Sequence, residues 1–161
     1  MRRLFALVMA LGVFMAIPTT TVSAQEQLKV AIHVVETSAG VNPDGTSYAD
    51  GVFRIFFDGV VIEEGTTSSF YQLSEDGSLA DGYRTYTDAS DGATVFVDLR
   101  TRLVKVSGDE TTFTYRGWEE IVTSDEGITG QASARTTVTL SEDGSYTLNA
   151  LAKWNLTVPT E

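Results

Sequence analysis

The chain has 161 residues, no cysteine, one histidine, and 22 acidic against 11 basic residues, for a formal net charge of −11. Those figures exclude disulfides, thiolate metal sites, thiol nucleophiles and any cluster of histidine ligands. They also argue against nucleic acid and anionic lipid as partners, because both are held by basic patches.

In chain order, the first segment reads MRRLFALVMALGVFMAIPTTTVSAQ. Arg2 and Arg3 open it, an apolar run from Leu4 to Ile17 follows, and Val22-Ser23-Ala24 closes it with small residues. This is the pattern of a secretory signal cut after Ala24. The apolar run is shorter than the roughly 20 residues that span a bilayer, and Pro18 ends it. The Arg2-Arg3 pair lacks the fuller twin-arginine pattern, so the general secretory route is expected. Residues 1–24 are therefore read as a cleaved signal and residues 25–161 as a single domain. The product is expected to be secreted, extracellular or periplasmic, with no membrane association after cleavage. Loss of two arginines takes the net charge from −11 to −13. The acids are scattered along the chain, as in a soluble exported protein, and form no acidic tail.

Beyond residue 24 the dominant period is two, carried by β-branched and aromatic residues between Gly/Asp/Ser clusters. LKVAIHVVET (28–37) is the first strand. The NPDG turn (42–45) leads to GVFRIFFDGVVIEE (51–64), in which Asp58-Gly59 marks a tight turn or a bulge. SSFYQL (68–73), YRTYT (83–87), ATVFVDL (93–99), RLVKVS (102–107) and TTFTYRGWEEIVT (111–123) follow. The last two segments alternate most cleanly. Ala132, Ala134, Val138 and Leu140 share one face. So do Tyr146, Leu148, Ala150, Ala152, Trp154, Leu156 and Val158, with Leu151 the exception on the other side.

The string LSEDGS occurs twice, at 73–78 and 140–145. The second copy joins two alternating segments, with Gly144 suited to a left-handed position and Asp143 able to bond its own backbone. It reads as hairpin chemistry. The first copy is followed by Ala80-Asp81-Gly82, which interrupts the return strand, so reuse of one turn is favoured over duplication. In all, roughly eight to ten strands with short turns are expected. The fold class is all-β: an antiparallel up-and-down β-barrel of about eight strands, with a β-sandwich as the alternative. A barrel is preferred because hairpins follow one another and closure removes exposed edges. In outline such a barrel resembles lipocalin-like and allene-oxide-cyclase-like or dirigent-like barrels. The lipocalin GxW signature is not matched, since Gly117-Trp118 lacks the spacer.

Catalytic motifs are absent by inspection: no GxSxG elbow, no phosphate loop, no dinucleotide fingerprint. His33, in mid-strand, reads as a partly buried, hydrogen-bonded residue. Neither LSEDGS copy nor DASDG (88–92) fits a calcium loop, although Asp76, Asp88, Asp91 or Asp143 could converge from separate turns. Adjacent carboxylates in strands point to opposite faces and do not cooperate. Glu119 differs. It shares a face with Phe113, Tyr115 and Ile121 and is expected inside the barrel, neutralised by Arg54, Arg84 or Arg135. The small-residue stripe Gly130, Ala132, Ala134 leaves room for a bulky neighbour, with Trp118 and Trp154 as candidates.

The favoured reading is a non-enzymatic barrel that binds a small apolar ligand or a protein partner, with Glu119, Tyr115, Trp118, Trp154 and Arg54 as candidate ligand-binding residues. No catalytic residue, metal or cofactor is assigned. The alternatives are a metal-independent isomerase or cyclase using an interior Glu/Tyr/Arg set, and a structural cell-surface domain with no pocket. A cavity in the barrel would separate these readings.

Overall fold

The computed structural model describes residues 25–89, 94–124 and 127–159. The signal-like segment, Asp91 with the centre of the DASDG turn, and Asp125-Glu126 lie outside the described residues.

Eight strands follow in order: β1 (Gln25–Ser38), β2 (Thr46–Phe57), β3 (Val60–Leu73), β4 (Leu79–Asp88), β5 (Thr94–Gly108), β6 (Thr112–Thr123), β7 (Thr129–Leu140) and β8 (Tyr146–Pro159). Each pairs antiparallel with the next, and β1 pairs with β8 over its whole length, from Gln25 opposite Pro159 to Ser38 opposite Tyr146. The sheet is a single ring, an up-and-down barrel in outline, and the sandwich alternative is set aside.

The strand count falls at the low end of the expected range for a physical reason. ATVFVDL and RLVKVS are one strand, because Arg100 to Arg102 continue the extended backbone and pair with β6. Ala80-Asp81-Gly82 does not interrupt β4 either. Gly82 faces inward where a Cβ would lie 2.1 Å from the Phe70 carbonyl oxygen, so glycine there lets β3 and β4 close up. Asp58-Gly59 is a two-residue hairpin turn with both φ angles positive, 48° and 80°.

Alternation puts one residue in two inside. Leu28, Val30, Ile32 and Val34 of β1 and all seven expected residues of β8 are buried, whereas Leu151 is exposed. His33 lies on the outer side, its Nε2 2.9 Å from Asn149 Oδ1. The turns β1–β2, β3–β4, β5–β6 and β7–β8 gather at one end of the barrel, called the mouth here. The base holds the other turns and the strand ends Gln25 and Pro159. Base side chains such as Leu28, Val30, Ile55, Ile121, Trp154 and Leu156 form an apolar plug. Each such burial contributes about 1.5–3 kcal/mol.

Candidate functional site

Three of the mouth turns repeat one design. The N–H groups of Gly45, Gly77 and Gly144 donate to the carbonyls of Asn42, Ser74 and Ser141, and all three glycines have positive φ. The aspartate just before each glycine accepts, at 2.9 Å, the N–H two residues onward: Asp44 from Thr46, Asp76 from Ser78, Asp143 from Ser145. Both LSEDGS copies therefore form the same hairpin turn. The hydroxyl of Ser78 beside Asp76, then its N–H, holds that carboxyl down at about 2. Asp44 and Asp143 are lowered in the same way, by the side chains of Thr46 and Ser145 first. In the β5–β6 turn, the backbone N–H groups of Thr111 and Thr112 lower Asp109. These carboxylates serve their own turns. Asp76 and Asp143 belong to different hairpins, and Asp88 lies at the base. Among the described residues no cluster of three potential metal-binding side chains forms.

Inside the mouth is a cavity of about 270 Å³. Its walls are apolar: Leu73, Phe113, Val138, Leu140 and Leu148, with the rings of Tyr115 and Tyr146. Tyr115 donates its hydroxyl to the Gly77 carbonyl at 2.8 Å, tying the β3–β4 turn to β6. Tyr146 is hydrogen-bonded to Ser47 at 2.7 Å. Lys105 lines the rim with its ammonium 3.8 Å above the Phe113 ring. Asp76 lines the cavity with it, and the mouth turns also carry Asp44, Glu75, Asp109, Glu110, Glu142 and Asp143 with no cation of their own. The floor is formed by Tyr71, Leu103 and Thr136, the deepest lining residues of β3, β5 and β7.

Below the floor lies a buried polar layer centred on Arg84 of β4. Its Nε and Nη2 grip both oxygens of Glu36 at 2.9 and 3.1 Å, and Nη1 reaches Glu119 Oε1 at 2.8 Å. Nη2 also donates to the Tyr71 hydroxyl at 2.6 Å, and Nη1 to that of Tyr86 at 3.3 Å. Phe53 packs edge-on against the Tyr86 ring, centroids 5.0 Å apart. Desolvation raises Glu119 above the usual carboxylate range, against the pull of Arg84. Burial likewise pushes Tyr71 and Tyr86 up, leaving both phenols protonated. Arg84 stays fully charged.

The candidate residues are distributed as follows. Glu119 is fully buried, and Arg84 is its neutraliser of the three arginines proposed. Tyr115 lines the cavity. Trp154 is inside but in the basal plug, directly opposite Ala132, so the small-residue stripe makes room for core packing. Trp118 and Arg54 are not brought to the cavity. Trp118 is 40% exposed on the outer wall because it alternates with Glu119. Arg54 alternates with Phe53 and Ile55 and pairs with Glu64 on the surface at 3.4 Å. Sequence reasoning missed Glu36, Tyr71, Arg84 as the centre of the layer, and Thr136. The parity of Leu28, Val30, Ile32 and Val34 was the available signal for Glu36.

The outer wall gathers cations that are far apart in sequence. Arg102, Trp118, Ser133 and Lys153 form one row across β5 to β8, and Val104, Arg116, Arg135 and Leu151 the next. Arg116 and Arg135 face each other directly.

No protein-family model, curated protein or solved structure matches the chain.

Proposed function

We propose that this protein, after export, binds a small, predominantly apolar, uncharged molecule in the mouth cavity without transforming it. The observation that carries this reading is the cavity itself: apolar-walled, set in a closed barrel and opening among acidic turns. A dry cavity of about 150 Å³ takes benzene, which scales to a ligand of about ten to twelve heavy atoms for this one. The seven acidic residues of the mouth turns, Asp76 in the cavity lining among them, outnumber Lys105 and disfavour an anion.

An isomerase or cyclase is the second reading, and one observation favours it. Tyr71 is both part of the cavity floor and a partner of Arg84. Yet Arg84, Glu36 and Glu119 do not line the cavity, and a phenol pushed up by burial is a poor proton donor. The binding reading therefore leads.

Naphthalene, with ten heavy atoms, tests it by fluorescence titration against wild type and Ala80→Leu, which fills the cavity from its wall. Saturable binding to wild type that is lost in the folded variant supports the reading. Equal binding by both, or none by wild type, rejects it.

A further inference from the structure

We infer that the ligand carries one neutral hydroxyl or carbonyl group and enters with that group foremost, to be met by Thr136 at the cavity floor. The inference rests on the binding reading and adds to it the polar chemistry of the ligand.

Thr136 is fully buried, and its Oγ1 has no hydrogen-bond partner among the described residues. It is also the innermost β7 residue that lines the cavity, below Val138 and Leu140. Its register neighbours offer it nothing. Ala150 has no polar side-chain atom, and the Tyr115 hydroxyl is engaged with the Gly77 carbonyl. A buried hydroxyl with no partner is a standing penalty that valine, of nearly the same shape, would avoid. The other unpartnered buried oxygens, on Thr67, Thr101 and Glu119, do not line the cavity. Among the described residues, Thr136 alone combines an unmet hydrogen-bonding group with a place in the cavity lining.

The surroundings limit what that partner can be. A threonine hydroxyl donates and accepts, so it suits an alcohol or a carbonyl equally. A carboxylate is disfavoured twice. It would pass the acidic rim, and the nearest buried cation, Arg84, is already bonded to Glu36 and Glu119. An ammonium group would be drawn to the rim but would find no carboxylate lining the floor. The apolar walls between rim and floor then hold the body of the ligand.

The test compares naphthalene, 2-naphthol and 2-naphthoate on wild type, Thr136→Val and Thr136→Ser. Thr136→Val keeps the shape and removes the hydroxyl, and Thr136→Ser keeps the hydroxyl. Comparing the 2-naphthol to naphthalene affinity ratio between variants cancels the different hydration of the probes. That ratio is expected to fall about five- to tenfold in Thr136→Val, the value of one hydrogen bond, and to persist in Thr136→Ser. 2-Naphthoate should bind more weakly than either. A ratio unchanged by Thr136→Val, or a preference for the carboxylate, overturns the inference while leaving the cavity reading intact. If naphthalene fails to bind wild type, the cavity reading falls and takes this inference with it.

Discussion

Arg84 holds Glu36 by two nitrogens, Nε on Oε1 at 2.9 Å and Nη2 on Oε2 at 3.1 Å, whereas Glu119 has a single bond and an unpartnered Oε2. Two carboxylates and one guanidinium in an apolar interior would carry an excess negative charge. Burial raises Glu119 from its ordinary value against the pull of Arg84, in line with its single bond.

The two glutamates should therefore respond differently to the same substitution. Glu119→Gln keeps an acceptor for the single Arg84 bond and should cost about 1 kcal/mol at pH 7. Glu36→Gln breaks the bidentate buried pair and should cost about 3 kcal/mol or more. Urea denaturation of both variants checks this, and equal losses would refute the asymmetry.

Stability should be greatest in mildly acidic solution. Glu119 is raised in the folded state by desolvation, so folding takes up a proton above about pH 4.5, the ordinary glutamate value, and stability falls as pH rises through the folded pKa. Glu63, raised by burial and then by Asp88, acts in the same direction, screened because it is only partly buried. The turn aspartates act oppositely. Asp44, Asp76, Asp109 and Asp143 are lowered, so their contribution is present above the ordinary aspartate value of 3.8 and is lost below it. Urea midpoints measured from pH 3 to pH 9 should rise through 3.8, the ordinary aspartate value, and fall again above 4.5, the ordinary glutamate value. A midpoint that climbs steadily to pH 8 would contradict the upward shift of Glu119.

Two glycine-to-alanine changes should separate backbone conformation from close approach. Gly144 has φ +84° and nothing within 4 Å of an added Cβ, so alanine pays only left-handed strain, about 1–2 kcal/mol. At Gly117 the added Cβ would lie 1.8 Å from the Arg102 carbonyl oxygen. Gly117→Ala has to push β5 from β6 and should cost more than about 3 kcal/mol or prevent folding. Thermal unfolding of the two variants gives the comparison.

Arg116 and Arg135 face each other across β6 and β7, and neither has an ion-pair partner among the described residues. Like charges directly opposite in a sheet are destabilising, so Arg135→Glu should raise stability by about 0.5 kcal/mol at low salt. The gain should shrink as sodium chloride is added to about 1 M, where screening is short-ranged. A loss of stability in low salt would show that Arg135 has another partner.

The two tryptophans should report separately. Trp154 is 2% exposed and Trp118 is 40% exposed. Trp118→Phe should leave a blue-shifted emission resistant to iodide quenching, and Trp154→Phe an iodide-sensitive one, provided that variant stays folded.

The barrel was legible where alternation was clean. β7 and β8 declare their inner faces residue by residue, and Glu119 could be placed inside from Phe113, Tyr115 and Ile121. The same parity places Trp118 outside, since neighbours in a regular strand cannot share a face. Arg84 was harder to choose because aromatic residues stand on both faces of its strand: Tyr83 is outside and Tyr86 inside. β1 hid Glu36 for a similar reason, being apolar at Ala31 and Val35 as well as at the inner positions. Thr136 was out of reach of sequence reasoning. That its hydroxyl lacks a partner depends on where Tyr115, on the neighbouring strand, sends its own.

The full pairing of β1 with β8 has a practical consequence. Gln25 and Pro159 sit side by side at the base, the end farthest from the cavity. A support, label or fused domain joined through either end of the barrel would hold it upright with its opening turned to the solution. Joining these neighbouring ends by a short linker and cutting the chain at Gly59, in the basal β2–β3 turn, would give a circular permutant with all eight pairings and the mouth intact.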